Sequence, residues 1–423
     1  DIIDIKSYLE KLIKLKFSLI DKYYPKPIFR AEKPNQEIIK LKESVEKELS
    51  YGISDGYKDK KNAILLDYVN ELECNPFGLK SMIEEYSYVY SSTTGQSNQA
   101  TKQKINTEDE DVTFDTVIID EAARVTPMDL LIVMVLAKRR IILVGDHRQL
   151  PHMVNEEVIK SGDLSENEYI KESIFGYLKK RAKELEKYDN IERTTTLNNQ
   201  YRTHPLLGQF VNDNFYEKHG EPFKSPLGTE IGNIDDYFSQ KLKGIENIPA
   251  VWLDVPNKEG KEQKAWSRKC EAQRIIEHLK EWIFSEEGKN LTFGIITFYR
   301  NQVEIIKGLI DKEFSKEQKD IIYKRLKVGT VDSFQGMEFD IVFLSFLRSR
   351  DVNSINESLK DYNLFGFLIS KNRLCVSMSR QKKSLIVVGD KNFFESNRAK
   401  TDVEELYNFL QLCKQEGKII ENN

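Results

Sequence analysis

Phe114-Asp115-Thr116-Val117-Ile118-Ile119-Asp120-Glu121-Ala122-Ala123 is the stretch whose reading decides the fold. An apolar run, Val117 to Ile119, ends abruptly in two acids, the pattern of a buried parallel strand whose carboxyl end opens into a crevice. A carboxylate fixed there can hold Mg²⁺, directly or through water, while its neighbour orients and deprotonates an attacking water. On that reading Asp120 serves the metal and Glu121 the water. On a plainer one the pair caps the helix that follows, and residue types alone leave both open.

Further along the chain the same form recurs. Ile141 to Val144 runs into Gly145-Asp146-His147-Arg148-Gln149-Leu150-Pro151. Gly294 to Ile296, Val328 to Val331, Ile341 to Ser345 and Leu385 to Val388 are further short apolar runs ending in polar residues. Helical stretches, Ala272 to Trp282 and Val303 to Ile310 among them, fall between some of these runs. Strands alternating with helices predict an α/β fold with parallel sheets. Gln149, at a strand end, can offer its amide to a γ-phosphate, although a glycine-assisted turn with solvated polar groups accounts for it equally. His147 has no partner at metal-ligand spacing and reads as a turn residue.

Toward the amino end the texture differs. Residues 1–85 read as helical and charged, with Ile5, Leu9, Leu12 and Ile13 at helical spacing. Tyr88-Val89-Tyr90 reads as a short strand, and the polar stretch from Gln96 to Asp111 as a surface loop. These shifts put a domain boundary near residue 85.

Composition sets the frame. With 423 residues the chain is long enough for two or three domains. Charged residues at 31%, apolar ones at 39% and a mean hydropathy of -0.53 are ordinary for a soluble globular chain. No apolar run approaches the roughly 20 residues of a membrane span. Cys74, Cys270, Cys375 and Cys413 lie far apart without CxxC spacing, against a disulfide framework or structural zinc and in keeping with a reducing cytoplasmic or nuclear setting. Lys and Arg number 64 against 68 Asp and Glu, a net charge of -4, so any nucleic-acid surface is a local groove. The start, Asp1-Ile2-Ile3-Asp4, is neither a signal segment nor a methionine, and a trimmed amino end is expected.

Taken in order, these segments resemble the Upf-type (1B) branch of superfamily 1 helicases. Asp120-Glu121-Ala122-Ala123 and Gly145 through Leu150 look like its motifs II and III. Gln200-Tyr201-Arg202-Thr203-His204-Pro205 resembles its QYRxHP element, and Gly294 through Gln302 its TPYxxQ element. Val331-Asp332-Ser333-Phe334-Gln335-Gly336-Met337-Glu338 resembles motif V, and Asn372-Arg373-Leu374 through Ser379-Arg380 motif VI.

The resemblance implies two RecA-like parallel-sheet domains, the first incomplete. Residues 86–194 would be the remainder of RecA-like domain 1 and residues 195–423 RecA-like domain 2, with 1–85 a helical stalk or inserted subdomain. ATP and Mg²⁺ are the implied cofactors, with hydrolysis in the cleft between domains. Glu121, Gln149, Arg202 and Arg380 carry over as catalytic, Asp120 as the metal ligand, and Gly336 and Glu338 as nucleotide contacts. A planar guanidinium spreads over two phosphate oxygens, and such arginines are worth about 10³-fold or more in phosphoryl transfer. The implied partner is single-stranded DNA or RNA, travelled 5′ to 3′, with no membrane. Ser92, Thr93 and Thr94 on one side and Thr297, Thr330, Asp332 and Ser333 on the other would grip it, and Tyr299 and Arg300 would stack on bases.

The pattern fails in one place. G-x-x-x-x-G-K-[ST], the loop whose amides and lysine hold the β- and γ-phosphates, is absent from the sequence. Gly78-Leu79-Lys80-Ser81 is the nearest approach and lacks the first glycine. That loop is expected on an upstream segment or a partner chain, and the chain alone is expected to bind nucleotide poorly and to be inactive. A non-hydrolysing nucleic-acid-binding or regulatory protein is the alternative from another class. Phe298 stands where the family usually has proline, and Ser377-Met378-Ser379-Arg380-Gln381 replaces A-L-T-R-A while keeping the arginine.

Overall fold

The computed structural model describes residues 87–97, 113–151, 173–263, 266–351 and 360–421, with isolated positions before residue 87. The chain divides into two compact units, Asp1–Ser91 and Ser92–Asn423. The first unit, and with it the helical reading of residues 1–85, lies almost wholly outside the described residues; so does most of the loop read at Gln96 to Asp111. The described strands and sheets all belong to the second unit.

That unit opens on a parallel pair. β1 (Phe114–Ile119) and β2 (Ala137–Leu143) flank α1 (Pro127–Met134), with Val117 opposite Ile141 and Ile119 opposite Leu143. α1 starts where it does because the Thr126 hydroxyl accepts from the Asp129 amide and Pro127 occupies the first helical position. α2 (Ile174–Asp189) comes next, capped by Ser173.

The larger sheet holds six strands in the order β5-β4-β6-β7-β3-β8, every neighbouring pair parallel. In chain order its elements are α3 (Pro205–Val211), β3 (Ala250–Asp254), α4 (Lys269–Trp282), β4 (Phe293–Thr297), α5 (Arg300–Glu313), β5 (Leu326–Thr330) and β6 (Phe339–Ser345). α6 (Lys371–Ser377), β7 (Gln381–Gly389), α7 (Glu404–Gln415) and β8 (Lys418–Ile420) complete it. Alternation along each strand sends Ile295, Phe343 and Ile386 to a core with Ile275, Leu279 and Ile306 from α4 and α5. Ile296, Leu344 and Leu385 go to the opposite core, with Phe210 of α3 and Phe409 of α7. Both faces are covered, which is why these strands read as continuous apolar runs.

The α/β expectation holds, as parallel sheets alternating with helices. One local reading does not: Tyr88 to Val89 to Tyr90 forms no strand, and its side chains are exposed. Aromatic and β-branched residues favour a strand only when a neighbour supplies the ladder, and among the described residues β1 pairs with β2 alone. Among the described residues no helix is long and apolar enough to cross a membrane.

Candidate functional site

The carboxyl ends of β1 and β2 are tied together. The Val144 amide donates to the Ile119 carbonyl at 2.9 Å, and the Ala122 amide to the Val144 carbonyl at 2.8 Å. Gly145 fits against this turn because a Cβ there would lie 2.9 Å from the Ala123 nitrogen. The Asp120 carboxylate accepts from the Glu121 amide at 2.9 Å, and Glu121 sits at φ 51°, a left-handed conformation uncommon outside glycine. Both acids are exposed at the strand end.

Asp146 organises the next loop. It accepts from the Arg148 amide (2.9 Å), from Gln149 Nε2 (2.8 Å) and from the Tyr216 hydroxyl (2.5 Å), the last at the end of the turn Asn212–Tyr216 that continues α3. Burial first, then the neighbouring Cys375 and Asp146, pushes the Tyr216 phenol well up, so it remains a donor. Burial likewise pushes the Cys375 thiol up to about 12. Asn372 Nδ2, from α6, points at the carbonyls of His147, Arg148 and Gln149 at 3.3, 3.0 and 2.7 Å. Glu221 meets the same loop through Arg148 (3.1 Å) and His147 (3.5 Å), and Lys179 of α2 at 2.5 Å.

Across from these turns stand the arginines. Arg380 is 2% exposed; it donates to the Val376 carbonyl (3.1 Å), the Ser379 hydroxyl (2.8 Å) and Gln149 Oε1 (3.2 Å). Burial pulls its guanidinium below the usual range, and the like charge of Arg202 adds to this. Arginine nevertheless stays charged in proteins. Arg202 Nε donates to Glu338 at 2.8 Å, and Lys382 pairs with the other Glu338 oxygen at 2.6 Å. The Lys382 bond, then that of Arg202, holds Glu338 below the ordinary carboxylate range against its partial burial. The turn carrying Arg202 is rigid, because Gln200 Oε1 accepts from the amides of Arg202 (2.9 Å) and Thr203 (2.8 Å). Gln335 Nε2 reaches Glu121 at 3.4 Å, while its buried Oε1 has no partner. Gly336, at φ 76°, needs glycine for its backbone and leaves open space where a side chain would stand.

Three contacts thus pair Glu121 with Gln335, Gln149 with Arg380 and Arg202 with Glu338, with Asp120 beside the first. For a metal, no group of three or more His, Cys, Asp or Glu exists among the described residues. Asp120 is a single exposed carboxylate at the strand end, the kind of donor Mg²⁺ takes together with water and phosphate oxygens rather than in an all-protein cage. Gln335 and Asn372 lie inside segments the sequence singles out, but their contacts join residues more than 200 positions apart. Tyr216 and Glu221 carry no such signal.

The strand-gripping candidates lie elsewhere in the unit. Ser92 and Ser97 share a hydrogen bond at 2.5 Å, and the Thr93 hydroxyl accepts from the Gln96 amide at 3.3 Å, capping the turn that begins at Thr94. Thr297 is fully buried at the end of β4 and its hydroxyl has no partner. Ser333 donates to the Thr330 carbonyl at 2.7 Å, and Asp332 lies 3.5 Å from Arg373. Arg300 is exposed at the start of α5. Tyr299, read as a stacking face, is only 7% exposed, and Trp266 lies parallel over it.

Residues 170–392 match an AAA domain family, and residues 26–157 match a second family of the same description. An uncharacterized ATP-dependent helicase of Methanocaldococcus jannaschii is 28% identical over 290 residues, 67% of this chain and 37% of the relative. The ATP-dependent helicase upf1 of Schizosaccharomyces pombe is 27% identical over 321 residues, 73% and 29%. Helicase SEN1 of Saccharomyces cerevisiae is 28% identical over 300 residues, 70% and 12%. The chain therefore spans well under half the length of these relatives. Among solved structures, an Arterivirus nonstructural protein 10 helicase aligns over 64% of this chain and 38% of its own, at 14% identity and a TM-score of 0.27.

Proposed function

Because the chain belongs to the Upf1-like family of superfamily 1 helicases, we propose that it carries the hydrolytic and strand-gripping parts of an ATP-driven motor moving 5′ to 3′ on single-stranded nucleic acid. The observation that carries this reading is the bridging of two sheets by catalytic groups: Arg380 on Gln149, and Gln335 on Glu121. A nucleoside triphosphate lying between them would meet acids on one side and guanidinium groups on the other. Residues 86–194 and 195–423 are the two RecA-like domains in this proposal.

Glu121 would orient and deprotonate the attacking water. Gln149 would report the γ-phosphate, and Arg202 and Arg380 would stabilise the charge that builds on it. Mg²⁺, when bound, supplies charge neutralisation at the phosphate oxygens, and Asp120 would hold it. Gly336 and Glu338 would border the nucleotide; Ser92, Thr93, Thr94, Thr330, Asp332 and Ser333, with Arg300, would face the strand, while Thr297 and Tyr299, read from the sequence as strand contacts, are buried behind that edge and would support it. The lysine-bearing phosphate loop comes, in this proposal, from a segment or chain beyond these 423 residues. The setting is cytoplasmic or nuclear.

The test is nucleic-acid-stimulated ATP turnover by the full-length parent protein. Glu121→Gln should abolish it while leaving the fold intact; turnover unchanged in that variant would refute the proposal.

A further inference from the structure

We propose that Trp266 is a base-stacking platform for single-stranded nucleic acid, a role that rests on the nucleic-acid reading above and names a contact that reading lacks. Three tryptophans occur in the chain. Trp252 and Trp282 are buried at 0% and 1%, whereas Trp266 is 40% exposed. Its backbone stands at φ 56°, a left-handed conformation that is a genuine outlier for a bulky side chain. Such strain persists only where surrounding structure enforces it, and it gathers at ligand-contacting positions.

The enforcement is visible. The Trp266 amide donates to the Gln263 carbonyl at 3.0 Å and the Gln263 amide to the Ser267 carbonyl at 2.9 Å, tying Trp266 and Ser267 back to Gln263. Immediately afterwards the chain enters the core. Arg268, 0% exposed, pairs with buried Glu271 at 3.0 Å and donates to the carbonyls of Gly260, Val255 and Pro256. The Arg268 amide donates to Gln302 of α5 at 2.8 Å. The turn therefore cannot tilt without disturbing a buried ion pair.

The indole itself lies in a ladder of flat groups. Its ring is 3° from parallel with that of Tyr299, with centroids 5.3 Å apart, and the Tyr299 hydroxyl is held by the Phe367 amide at 3.2 Å. Tyr299 in turn packs on Phe367 at 5.2 Å, and the Arg373 guanidinium lies 4.7 Å over Phe367. Arg348, pinned by the carbonyls of Asn363 and Leu364, lies over the Trp266 ring, 4.9 Å from its centroid, so a base would meet the part of the indole that neither Tyr299 nor Arg348 covers. Tyr299 comes two residues after Thr297 at the carboxyl end of β4, the edge that also carries the orphaned Thr297 hydroxyl. A residue whose only duty was to cover Tyr299 would need neither the exposure nor the strained backbone. A rigid, half-exposed indole beside guanidinium groups fits a nucleobase, and it does so without regard to sequence because every base has a π-face.

Among the three tryptophans Trp266 is the half-exposed one, so contact quenching by a bound base falls on its emission, over a background from buried Trp252 and Trp282 that a base cannot touch. The 423-residue chain is titrated with an unlabelled oligothymidylate while binding is followed in parallel by anisotropy of a labelled one. Quenching of the emission in step with binding is expected. Trp266→Ala should weaken the oligonucleotide by about tenfold or more, and Trp266→Phe, which preserves the packing on Tyr299, by less. Binding without quenching, or binding by the alanine variant equal to the original, would overturn the platform and leave the nucleic-acid reading standing. No binding by the unaltered chain would remove both. The quenching arm needs no variant, so an alanine variant that fails to fold does not blunt the test.

Discussion

The two parallel sheets are built to the same pattern and packed very differently. In the six-stranded sheet Ile295, Ile341 and Phe343 are fully buried, whereas β1 and β2 leave Ile118, Ile141 and Ile142 at 66%, 43% and 44% exposure. A parallel sheet keeps its strands dry only when layers cover both faces. Among the described residues only the larger sheet has that cover. The smaller one still places Asp120, Glu121 and Gln149 accurately. Short backbone ties between its strand ends, Gly145 against the turn, and Asn372 and Tyr216 reaching in from the larger lobe hold them. Burial is concentrated in the larger sheet, while the proposed site draws on both.

The hardest blow to this contrast falls at the junction. Arg380→Ala in the full-length parent should lower ATP turnover about 10³-fold or more. A turnover within a fewfold of the original would mean the larger lobe does not act on the smaller one's chemistry. Next comes a matched pair in the two sheets. Ile341→Ala, in β6, should destabilise by about 2–5 kcal/mol, whereas Ile118→Ala, in β1, should stay within about 0.5 kcal/mol of neutral. Equal losses in a denaturant titration would erase the distinction.

The smallest effect is one of pH. Burial lowers the His204 imidazole to about 4, and its Nδ1 accepts from the Leu206 amide at the start of α3, so the folded chain holds it neutral. A base depressed in this way contributes stability that is present above its unfolded value near 6.5 and is lost as pH falls toward 4. The larger lobe should therefore weaken by roughly 1–2 kcal/mol between about pH 7 and pH 5. His204→Asn, which keeps a capping acceptor, should flatten that slope in urea midpoints at the two pH values. A slope unchanged by the substitution would assign it to other groups.

How far the sequence is legible obeys the same divide between local and distant causes. β4, β6 and β7 announce themselves as apolar runs because both faces are buried, whereas β5, at the sheet edge and only partly buried, is read from the run Val328 to Val331. β3, as long as β4 and β5 and buried throughout, is not among the runs the sequence singles out, and β8 has only three residues; they become strands through pairing with β7 and with each other. Tyr88 to Tyr90 has the composition of a strand without the neighbour. At the site, strand-end acids and the amide of Gln149 are readable because their chemistry is local. Glu221, Tyr216 and Trp266 are not, since each matters through a partner that only folding brings near. Tyr299 shows the limit well: its identity and position point to stacking, but nothing in the sequence tells that Trp266 lies across it.

Glu121 is held left-handed at the end of β1, where a glycine would sit free of the roughly 1–2 kcal/mol clash between a Cβ and the following carbonyl. If Glu121 activates the water as proposed, foldability and turnover favour different residues at this one position. A screen for thermal tolerance that ignored turnover would then have reason to discard the acid, and glycine recovered there with turnover lost would show the backbone being kept tense for the group it presents.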